Sequence, residues 1–274
     1  MENQIYVKSN GVLKKVLVAS PKNFEIIKPI NNTEKKTFKK GISKAKLIRE
    51  YENFVALLQK QKVEVVKAPL KKNLPQQTFT RDIGFCIGNT LFVANSNVDM
   101  RKDETFVFKK LFKNHKNIYH FKNHIEGGDV LIYGKTVFVG ISKRTKEEAA
   151  DELQEVLGKK FEVVMIFLKP HILHLDTVFN FVGDVAVYNP QGVAIAFDVY
   201  NYFDKVIQVL PEQQYFLPSN FLPLSKKRII ASKQNHEFNA QLKQFGIRVI
   251  EGDFDEMLKL GGSYRCCSFE IIKK

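Results

Sequence analysis

The sequence repeats an acidic residue at the start of an apolar segment that is typical of a β-hairpin. The first three copies begin at Asp82, Asp129 and Asp176, each 47 residues after the one before, and a weaker copy begins at Asn220, 44 residues later. A regular period in this range is typical of a propeller, a solenoid or another array. If the copies circle an axis, these hairpin heads converge on one mouth. Three carboxylates there would form a pocket for a cation.

The segments between the hairpins predict a repeated unit of hairpin, helix and strand. Apolar residues at helical spacing favour helices at Ile42–Lys62, Asp103–Asn114, Lys146–Leu157, Val199–Val209 and His236–Phe245. Strands are predicted at Val16–Ser20, Val63–Ala68, Asn117–Phe121, Phe161–Phe167, Ile247–Glu251 and Cys266–Ile272. The first and last of these strands can pair to complete a fifth copy. Joining the two ends of the chain in this way closes a ring without an exposed edge.

Length and composition predict a single domain over residues 1–274. Apolar residues make up 44% and charged residues 26% of the chain, as in ordinary soluble globular proteins. No apolar segment approaches the roughly 20 residues that span a bilayer, and the N-terminal residues do not resemble a signal peptide. Three cysteines are too few for a disulfide framework. We therefore expect a cytoplasmic protein with no membrane partner.

The net charge of +14 raises the question of a nucleic-acid partner. The basic residues are scattered over predicted helix faces and turns, and no zinc finger, RNA-recognition aromatic motif or basic zipper is present. We therefore predict no nucleic-acid partner. A basic surface can still attract anionic metabolites.

Cys266 is the candidate nucleophile. It follows Gly261-Gly262 in a flexible approach that can present a side chain at a ring mouth. Arg265 beside it would favour the thiolate, which is the nucleophilic form. Cys267 would point to the opposite face of a strand. From these residues alone, a buried structural cysteine at the start of the last strand stays the alternative.

His174 and Asp176 lie two residues apart, on one face of an extended segment. Histidine is the usual general acid or base near neutral pH, although a lone histidine is more often structural. Cysteine, histidine and carboxylate together could also form a zinc site. No CxxC, HxH or HExxH spacing supports one, so we predict no metal.

Two further elements carry charged candidates. Glu126 and Asp129 flank a pair of glycines, as in a tight backbone at a site or in an ordinary turn. Arg144 follows the second hairpin and can hold a carboxylate through two hydrogen bonds. The alternative is a solvated helix start, with Thr145 as the N-cap of the next helix. Arg101 has a similar position after the first hairpin.

Five motifs occur in order and carry a family resemblance. They are Phe79-Thr80-Arg81-Asp82, Glu126-Gly127-Gly128-Asp129, Gly140-Ile141-Ser142-Lys143-Arg144-Thr145, His174-Leu175-Asp176-Thr177-Val178-Phe179 and Gly261-Gly262-Ser263-Tyr264-Arg265-Cys266. Together they resemble the guanidino-group-modifying superfamily, which includes dimethylarginine dimethylaminohydrolase, arginine deiminase and the amidinotransferases. The resemblance runs from about Leu13 to the C-terminus. It implies an α/β fold, the five-bladed ββαβ propeller (pentein) with pseudo-fivefold symmetry.

The resemblance also implies a role for each matching residue. The implied catalytic residues are Cys266 as nucleophile, His174 as general acid and base, and Glu126 as its support. The implied substrate-binding residues are Asp82 and Asp176 for the guanidinium, Arg144 and Arg101 for the substrate carboxylate, and Phe79. Lys22–Asn32 matches the place of a mobile lid. The implied reaction passes through a covalent thiouronium intermediate without a cofactor, in a monomer or homodimer whose partner is a small guanidino substrate.

The subfamily clues conflict. The chain length resembles the dimethylarginine hydrolases, which release methylamine or dimethylamine and leave citrulline. The His-Leu-Asp-Thr-Val-Phe and Arg-Cys-Cys-Ser segments resemble arginine deiminases, which release ammonia. The sequence favours the dimethylarginine hydrolase, with a guanidine deiminase or an amidinotransferase as alternatives. A propeller that binds a cation without turnover is the non-enzymatic alternative.

Overall fold

Five small β-sheets form the blades of a propeller in the computed structural model, which describes residues 4–274. The strands are β1 (Tyr6–Val7), β2 (Leu13–Val18), β3 (Glu64–Lys67), β4 (Gly84–Ile87), β5 (Thr90–Val93), β6 (Ile118–His120), β7 (Val130–Tyr133), β8 (Thr136–Ile141), β9 (Glu162–Phe167), β10 (Phe179–Val182), β11 (Val185–Tyr188), β12 (Lys205–Gln208), β13 (Leu222–Ser225), β14 (Arg228–Ser232), β15 (Arg248–Gly252) and β16 (Phe269–Lys273). The helices are α1 (Asn32–Lys40), α2 (Lys44–Lys60), α3 (Phe106–Leu111), α4 (Glu147–Leu157), α5 (His236–Gln244) and α6 (Asp255–Leu258).

The repeat predicted from the sequence is one blade. In each of four blades an antiparallel hairpin is joined by a parallel third strand, in the orders β4-β5-β6, β7-β8-β9, β10-β11-β12 and β13-β14-β15. A parallel third strand needs a crossover connection, and the segment between the second and third strands supplies it. The four hairpin heads therefore lie at equivalent positions, just before the first strand of each blade.

The fifth blade joins the two ends of the described chain, as predicted. β16 pairs antiparallel with β2, and β3 pairs parallel with β2. β1 adds a parallel strand on the other side of β16. The last strand thus occupies the place that the first hairpin strand has in the other blades.

Helix α2 shows why the helices lie where the apolar spacing predicts them. Leu47, Phe54 and Leu58 recur at helical spacing and are fully buried. Ser43 caps the helix by accepting a hydrogen bond from the Lys46 amide at 3.4 Å. The buried face of α2 packs in the core cluster that also contains Cys266 and Cys267.

Two predicted elements differ from the structure. The helix predicted at Val199–Val209 is wrong, because this segment forms a 3₁₀ turn at Val199–Asn201 and then β12, whose backbone groups pair with β11. The strand predicted at Cys266–Ile272 begins only at Phe269. Cys266 and Cys267 lie instead in a turn closed by backbone hydrogen bonds such as Cys267 N–H to Ser263 O (3.2 Å).

The segment before this turn is fixed by aromatic packing. The ring of Tyr264 stacks on that of Phe254 with a centroid distance of 4.2 Å, and Phe54 of α2 meets it edge-on at 5.1 Å. All three rings are buried. Aromatic pairs of this kind add stability beyond the area they bury, so the turn that carries Cys266 rests on a rigid support. None of the helices within residues 4–274 combines the length and apolar character needed to cross a membrane.

Candidate active site

The hairpin heads meet at one mouth, where Asp176 lies next to the candidate nucleophile. The Sγ atom of Cys266 is 3.9 Å from Asp176 Oδ1, and both residues are buried. Asn220, the head of the weaker fourth copy, accepts hydrogen bonds from the Cys266 and Ser263 amides, each at 3.2 Å. The regular spacing of the hairpin heads therefore identified Asn220, which holds the turn that carries Cys266, although this role was not predicted.

Asp129 departs from the predicted three-carboxylate pocket. Its oxygens accept hydrogen bonds from Thr145 Oγ1 (2.6 Å), Ser142 Oγ (3.1 Å) and the Leu175 amide (2.9 Å). Burial raises the pKa of Asp129 to about 7. The prediction that Asp129 opens on the pocket is wrong, because protein donors already occupy its oxygens. Thr145 is engaged here and makes no N-cap hydrogen bond to the next helix.

His174 and Glu126 form a buried pair. The Nε2 atom of His174 lies 2.7 Å from Glu126 Oε2, while Arg144 Nη1 donates to both carboxylate oxygens at 3.0 and 3.1 Å. Ser96 Oγ adds a contact to Oε1 at 2.5 Å. Burial alone would raise the pKa of Glu126, but Arg144 and His174 hold it well below its usual range. Glu126 is therefore an ionised support for the imidazole.

The opposite edge of His174 faces the pocket. Its Nδ1 atom has no hydrogen-bond partner in the described part of the chain and lies 3.6 Å from Asp82 Oδ1. Burial opposes the charged form, but Asp82, Asp129 and Glu126 together raise the pKa of His174 to about 9. The ring can approach Asp82 because residue 128 is glycine: a Cβ there would lie 2.8 Å from the ring. At neutral pH the imidazole is therefore protonated and can act as an acid.

This raised pKa predicts a pH-dependent loss of stability. Because the folded-state pKa is about 9 and the ordinary value is 6.5, protonated His174 stabilises the fold fully below pH 6.5. That contribution, of the order of 3 kcal/mol, is lost as the pH rises through 9. We expect the free energy of unfolding, measured by urea denaturation, to fall between pH 6.5 and 9.5 in the wild type.

The same measurement on two histidine variants isolates the effect. His174→Gln should lose most of this fall, whereas His120→Gln, at an exposed position in β6, should keep it. An equal fall in all three proteins would contradict the assignment.

Cys266 is a neutral thiol in the substrate-free site. Burial, followed by the nearby charges of Asp176 and Asp82, raises the pKa of Cys266 well above its usual value. Arg265 attracts the Cys266 thiolate, as predicted, but this attraction does not offset burial and the two carboxylates. The Arg265 guanidinium has other partners as well, with Nη2 donating to Val130 O at 3.1 Å and Nε 3.3 Å from Asp176 Oδ2. A positive charge from elsewhere is needed to favour the thiolate.

The side chain of Cys267 does not lie against Asp176 as that of Cys266 does, and its thiol contacts Thr78. All three cysteines of the chain lie in the described part and are buried free thiols. The prediction that only one of the adjacent pair faces the mouth is confirmed, although the two residues lie in a turn and not in a strand.

Arg101 forms a buried ion pair with Asp82. Its Nη1 atom donates to Asp82 Oδ2 at 2.6 Å and its Nη2 atom to Phe79 O at 3.2 Å. Glu104 Oε2 accepts from Nε and Nη2 at 3.0 and 2.8 Å, and thereby fixes the arginine. Sequence reasoning missed Glu104, whose only signal was its position three residues after Arg101. Binding of a substrate carboxylate by Arg101 or Arg144 stays a prediction, since both contact protein carboxylates here.

Phe79 lies beside the turn that carries Cys266. A Cβ at Gly262 would lie 2.4 Å from the Phe79 ring, so only glycine allows the turn to pass so close. The Arg101 guanidinium carbon is 5.9 Å from the centroid of this ring. The structure thus places Phe79 next to both Arg101 and the Cys266 turn.

The segment leading into α1 covers the site. Arg144 Nη2 donates to Ile30 O at 3.4 Å, Asn31 Nδ2 to Leu260 O at 3.2 Å and Thr37 Oγ1 to Lys259 O at 2.5 Å. This cover overlaps the predicted lid at its end, and its mobility stays a prediction. His174, Asp176 and Cys266 are shielded from solvent, so a substrate can enter only when some of these contacts open.

Asp82, Glu126 and His174 are a group that could hold a metal ion, because each can bring one ligand atom within 4.8 Å of the others. Arg101 already neutralises Asp82, and Arg144 already neutralises Glu126. Two buried guanidinium groups so close oppose a divalent ion. The arrangement suits an organic cation that donates hydrogen bonds better than it suits a metal.

Comparison with known proteins gives consistent results. A family model described as N,N dimethylarginine dimethylhydrolase, eukaryotic, matches residues 20–273. The uncharacterized protein YkgA of Bacillus subtilis (strain 168) is 35% identical over 96% of this chain and 93% of its own length. An arginine deiminase of Latilactobacillus sakei is 26% identical over 73% of this chain, and the match spans 62% of that deiminase's length.

The fold also resembles a solved structure. The product-bound N-terminal domain of ArgZ, an arginine dihydrolase from the ornithine–ammonia cycle in cyanobacteria, superposes with a TM-score of 0.83. It is 20% identical, and the similarity covers 94% of this chain and 97% of that domain. This likeness shows that the two share the propeller fold.

Proposed function

The chain belongs to the guanidino-group-modifying superfamily of dimethylarginine dimethylaminohydrolases and arginine deiminases, and we propose that it hydrolyses the guanidinium of an arginine-like substrate. The proposal rests on one observation: a buried thiol lies beside carboxylate oxygens that accept no hydrogen bond from the described residues. Among residues 4–274, Asp82 Oδ1 finds no hydrogen-bond partner, and Asp176 Oδ2 has an ion-pair contact with Arg265 but no hydrogen bond.

A guanidinium matches these acceptors. It is planar, it is positively charged and its N–H groups form a fixed fork that suits carboxylates. Buried acceptors without donors are costly, so a ligand that supplies the donors gains their hydrogen bonds on binding. Asp82 and Asp176 would then hold the guanidinium carbon near Cys266 Sγ. Positioning of this kind supplies much of the acceleration in a reaction with a poor electrophile.

The substrate also supplies the charge that Cys266 lacks. A bound guanidinium beside the thiol lowers the pKa of Cys266 and favours the thiolate. The thiol proton passes to solvent, and Sγ attacks the guanidinium carbon to give a tetrahedral adduct. His174, protonated in the free site, then gives its Nδ1 proton to the departing nitrogen, and an amine or ammonia leaves. The product of this half-reaction is a covalent thiouronium intermediate.

The second half-reaction uses the deprotonated His174. The neutral imidazole takes a proton from water, whose oxygen attacks the thiouronium carbon. The resulting adduct collapses, its hydroxyl proton passes to the Cys266 sulfur, and the sulfur leaves as the thiol. A ureido product such as citrulline results. Glu126 keeps the ring oriented and stabilises its positive charge in both halves, since it accepts from Nε2 throughout. No step requires a metal or an organic cofactor.

The position of Asp176 favours an unmethylated guanidinium. A dimethylated terminal nitrogen has no N–H, whereas an unmethylated one has two. Methyl groups packed against the buried oxygens of Asp176 would leave them without donors, which is costly. We therefore favour arginine or another unmethylated guanidine as substrate, with ammonia as the amine released. The similarity to arginine deiminases supports this choice.

Methylated arginine is the second candidate. The family model that matches residues 20–273 supports it. In that case citrulline and methylamine or dimethylamine are released.

Separate incubations with arginine, agmatine and asymmetric dimethylarginine distinguish the candidates. We expect citrulline and ammonia from arginine, at a kcat/KM roughly tenfold or more above that for the dimethylated substrate. One unpaired buried acceptor costs about 1–3 kcal/mol, and about 1.4 kcal/mol corresponds to a factor of ten. Mass spectrometry of the amine and ureido products measures both. Ornithine in place of citrulline would indicate hydrolysis of the ureido group as well.

Two other outcomes would change the assignment. Preference for asymmetric dimethylarginine, with release of dimethylamine, would establish the second candidate. If no guanidine is hydrolysed but an added amine accepts the amidino group, the protein is a transferase. Binding of arginine without turnover in either assay would leave a cation-binding propeller and overturn the proposed hydrolysis.

A further inference from the structure

A second polar cavity lies on the propeller axis, towards the hairpin turns. It has a volume of about 40 Å³ and receives side chains or backbone from all five blades. Representative lining residues are Arg81, Val130, Gly183, Pro223 and Lys273. We call it the axial cavity. The proposed hydrolysis does not use it.

Two buried arginines have N–H groups there that find no hydrogen-bond partner among residues 4–274. Arg81 and Arg265 are 3% and 5% exposed, and both line the axial cavity. Arg81 Nε and Nη2 and Arg265 Nε form no hydrogen bond with the described residues. Buried charged donors without acceptors are costly and rare in folded proteins, so these atoms call for an acceptor inside the cavity.

The nearest carboxylates form ion pairs with these arginines but accept no hydrogen bond from the three unpaired atoms. Asp176 Oδ2 is 3.3 Å from Arg265 Nε without the alignment of a hydrogen bond. Glu270 lines the cavity, but its Oε1 atom binds Lys273 Nζ at 2.7 Å, and its Oε2 atom is 3.8 Å from Arg81 Nη1. The cavity wall thus carries three cations and one carboxylate. Burial and the nearby Arg81 lower the pKa of Arg265 to about 10, as expected where positive charge is in excess.

The size of the cavity limits what can fill it. One water needs roughly 10–15 Å³ of volume measured in this way, so about 40 Å³ accommodates a small inorganic ion. An amino acid or a nucleotide does not fit.

The approach to the cavity is basic. Two surface clefts share Asn10 with the axial cavity, and the lysines that line them are Lys8, Lys205, Lys226, Lys227 and Lys274. Asp184 is the acidic residue in these linings and is paired with Lys205 at 2.6 Å. A cleft with charges of one sign raises the local concentration of the opposite ion. Part of the positive charge of the chain is thus concentrated beside the axial cavity.

We propose that the axial cavity binds a small inorganic anion, of the size of chloride or nitrate, between Arg81 and Arg265. The anion would lie behind the turn that carries Cys266, since the Arg81 amide donates to Cys266 O at 3.0 Å. It supplies the acceptors that the two guanidinium groups lack. The site does not depend on turnover, so its failure and that of the proposed hydrolysis are distinguishable.

Thermal unfolding at constant ionic strength tests the proposal. Sodium gluconate, whose anion is too large for the cavity, is replaced stepwise by chloride, nitrate or phosphate. We expect a saturable rise in Tm of roughly 3–6 °C with chloride or nitrate at a hundredfold excess over Kd. Arg81→Gln should lose most of the rise. Arg49→Gln, which removes an exposed arginine of α2 and the same charge, should keep it.

Anomalous diffraction from wild-type crystals grown in bromide locates the ion even if Arg81→Gln does not fold. A peak between the two guanidinium groups is expected. A wild-type Tm that follows ionic strength alone, an unchanged rise in Arg81→Gln, or bromide crystals without a peak in the cavity would each overturn the proposal.

Discussion

Replacing Cys266 with serine is expected to lower kcat for the preferred guanidino substrate by roughly 10³-fold or more, as removal of a nucleophile does in other covalent enzymes. A hydroxyl is far less acidic than a thiol. His174 is already protonated at neutral pH and cannot remove the proton of that hydroxyl. Asp82 and Asp176 remain in place, so arginine should still bind with a Kd near that of the wild type. Steady-state kinetics and calorimetric titration measure the two quantities.

Cys267→Ser is the matched control. It changes the same atom in the next residue, but its side chain lies against Thr78 and not against Asp176. We expect it to keep most of the turnover, with some loss of stability from a buried hydroxyl. If Cys266→Ser retained turnover, or if the two variants lost it equally, the covalent mechanism would have to be abandoned.

Replacing Glu126 with glutamine is expected to lower kcat/KM by about 10²- to 10⁴-fold, the range typical of lost acid–base catalysis. Glu126 contributes to the raised pKa of His174 and accepts its Nε2 proton at 2.7 Å. Without the carboxylate, the pKa of His174 falls and its acid form is depleted at neutral pH. The limb of the pH–rate profile that reports His174 should therefore move to lower pH, and an NMR titration of the ring should move with it.

The substitution also leaves Arg144 without its buried counter-charge. Breaking a buried ion pair by removing one partner costs about 3–5 kcal/mol, so the variant should be measured well below its reduced Tm. Glu152→Gln is the control for stability alone. Glu152 is a well-bonded carboxylate that accepts from Tyr119 and Lys122, away from the site. If Glu126→Gln lost stability as Glu152→Gln does but kept its pH–rate profile, Glu126 would be structural and not a support for His174.

The architecture and most of its helices and strands could be predicted from the sequence. The 47-residue spacing of Asp82, Asp129 and Asp176 predicts equivalent hairpin heads, and the structure confirms one hairpin in each of four blades. Helix α2 follows from its apolar spacing. These features depend on residues close together in the chain, where spacing decides which side chains share a face.

The pairing of the charged side chains could not be predicted from the sequence and is seen only in the folded structure. Asp129 matches its neighbours in the repeat, yet Thr145 and the Leu175 amide take its oxygens, whereas Asp176 reaches Cys266. Arg265 lies next to Cys266 in the chain but points into the axial cavity. The segment Val199–Val209 has apolar residues at helical spacing, but part of it forms β12, which pairs in parallel with β11.

The physical reason is the same in each case. A buried polar atom takes the partner that the fold brings within hydrogen-bond distance, and for His174 and Cys266 that partner comes from a neighbouring blade. Glu126 and His174 are 48 residues apart, and Asn220 and Cys266 are 46 apart. Local spacing specifies the hairpins, but the position of one blade against the next specifies the site.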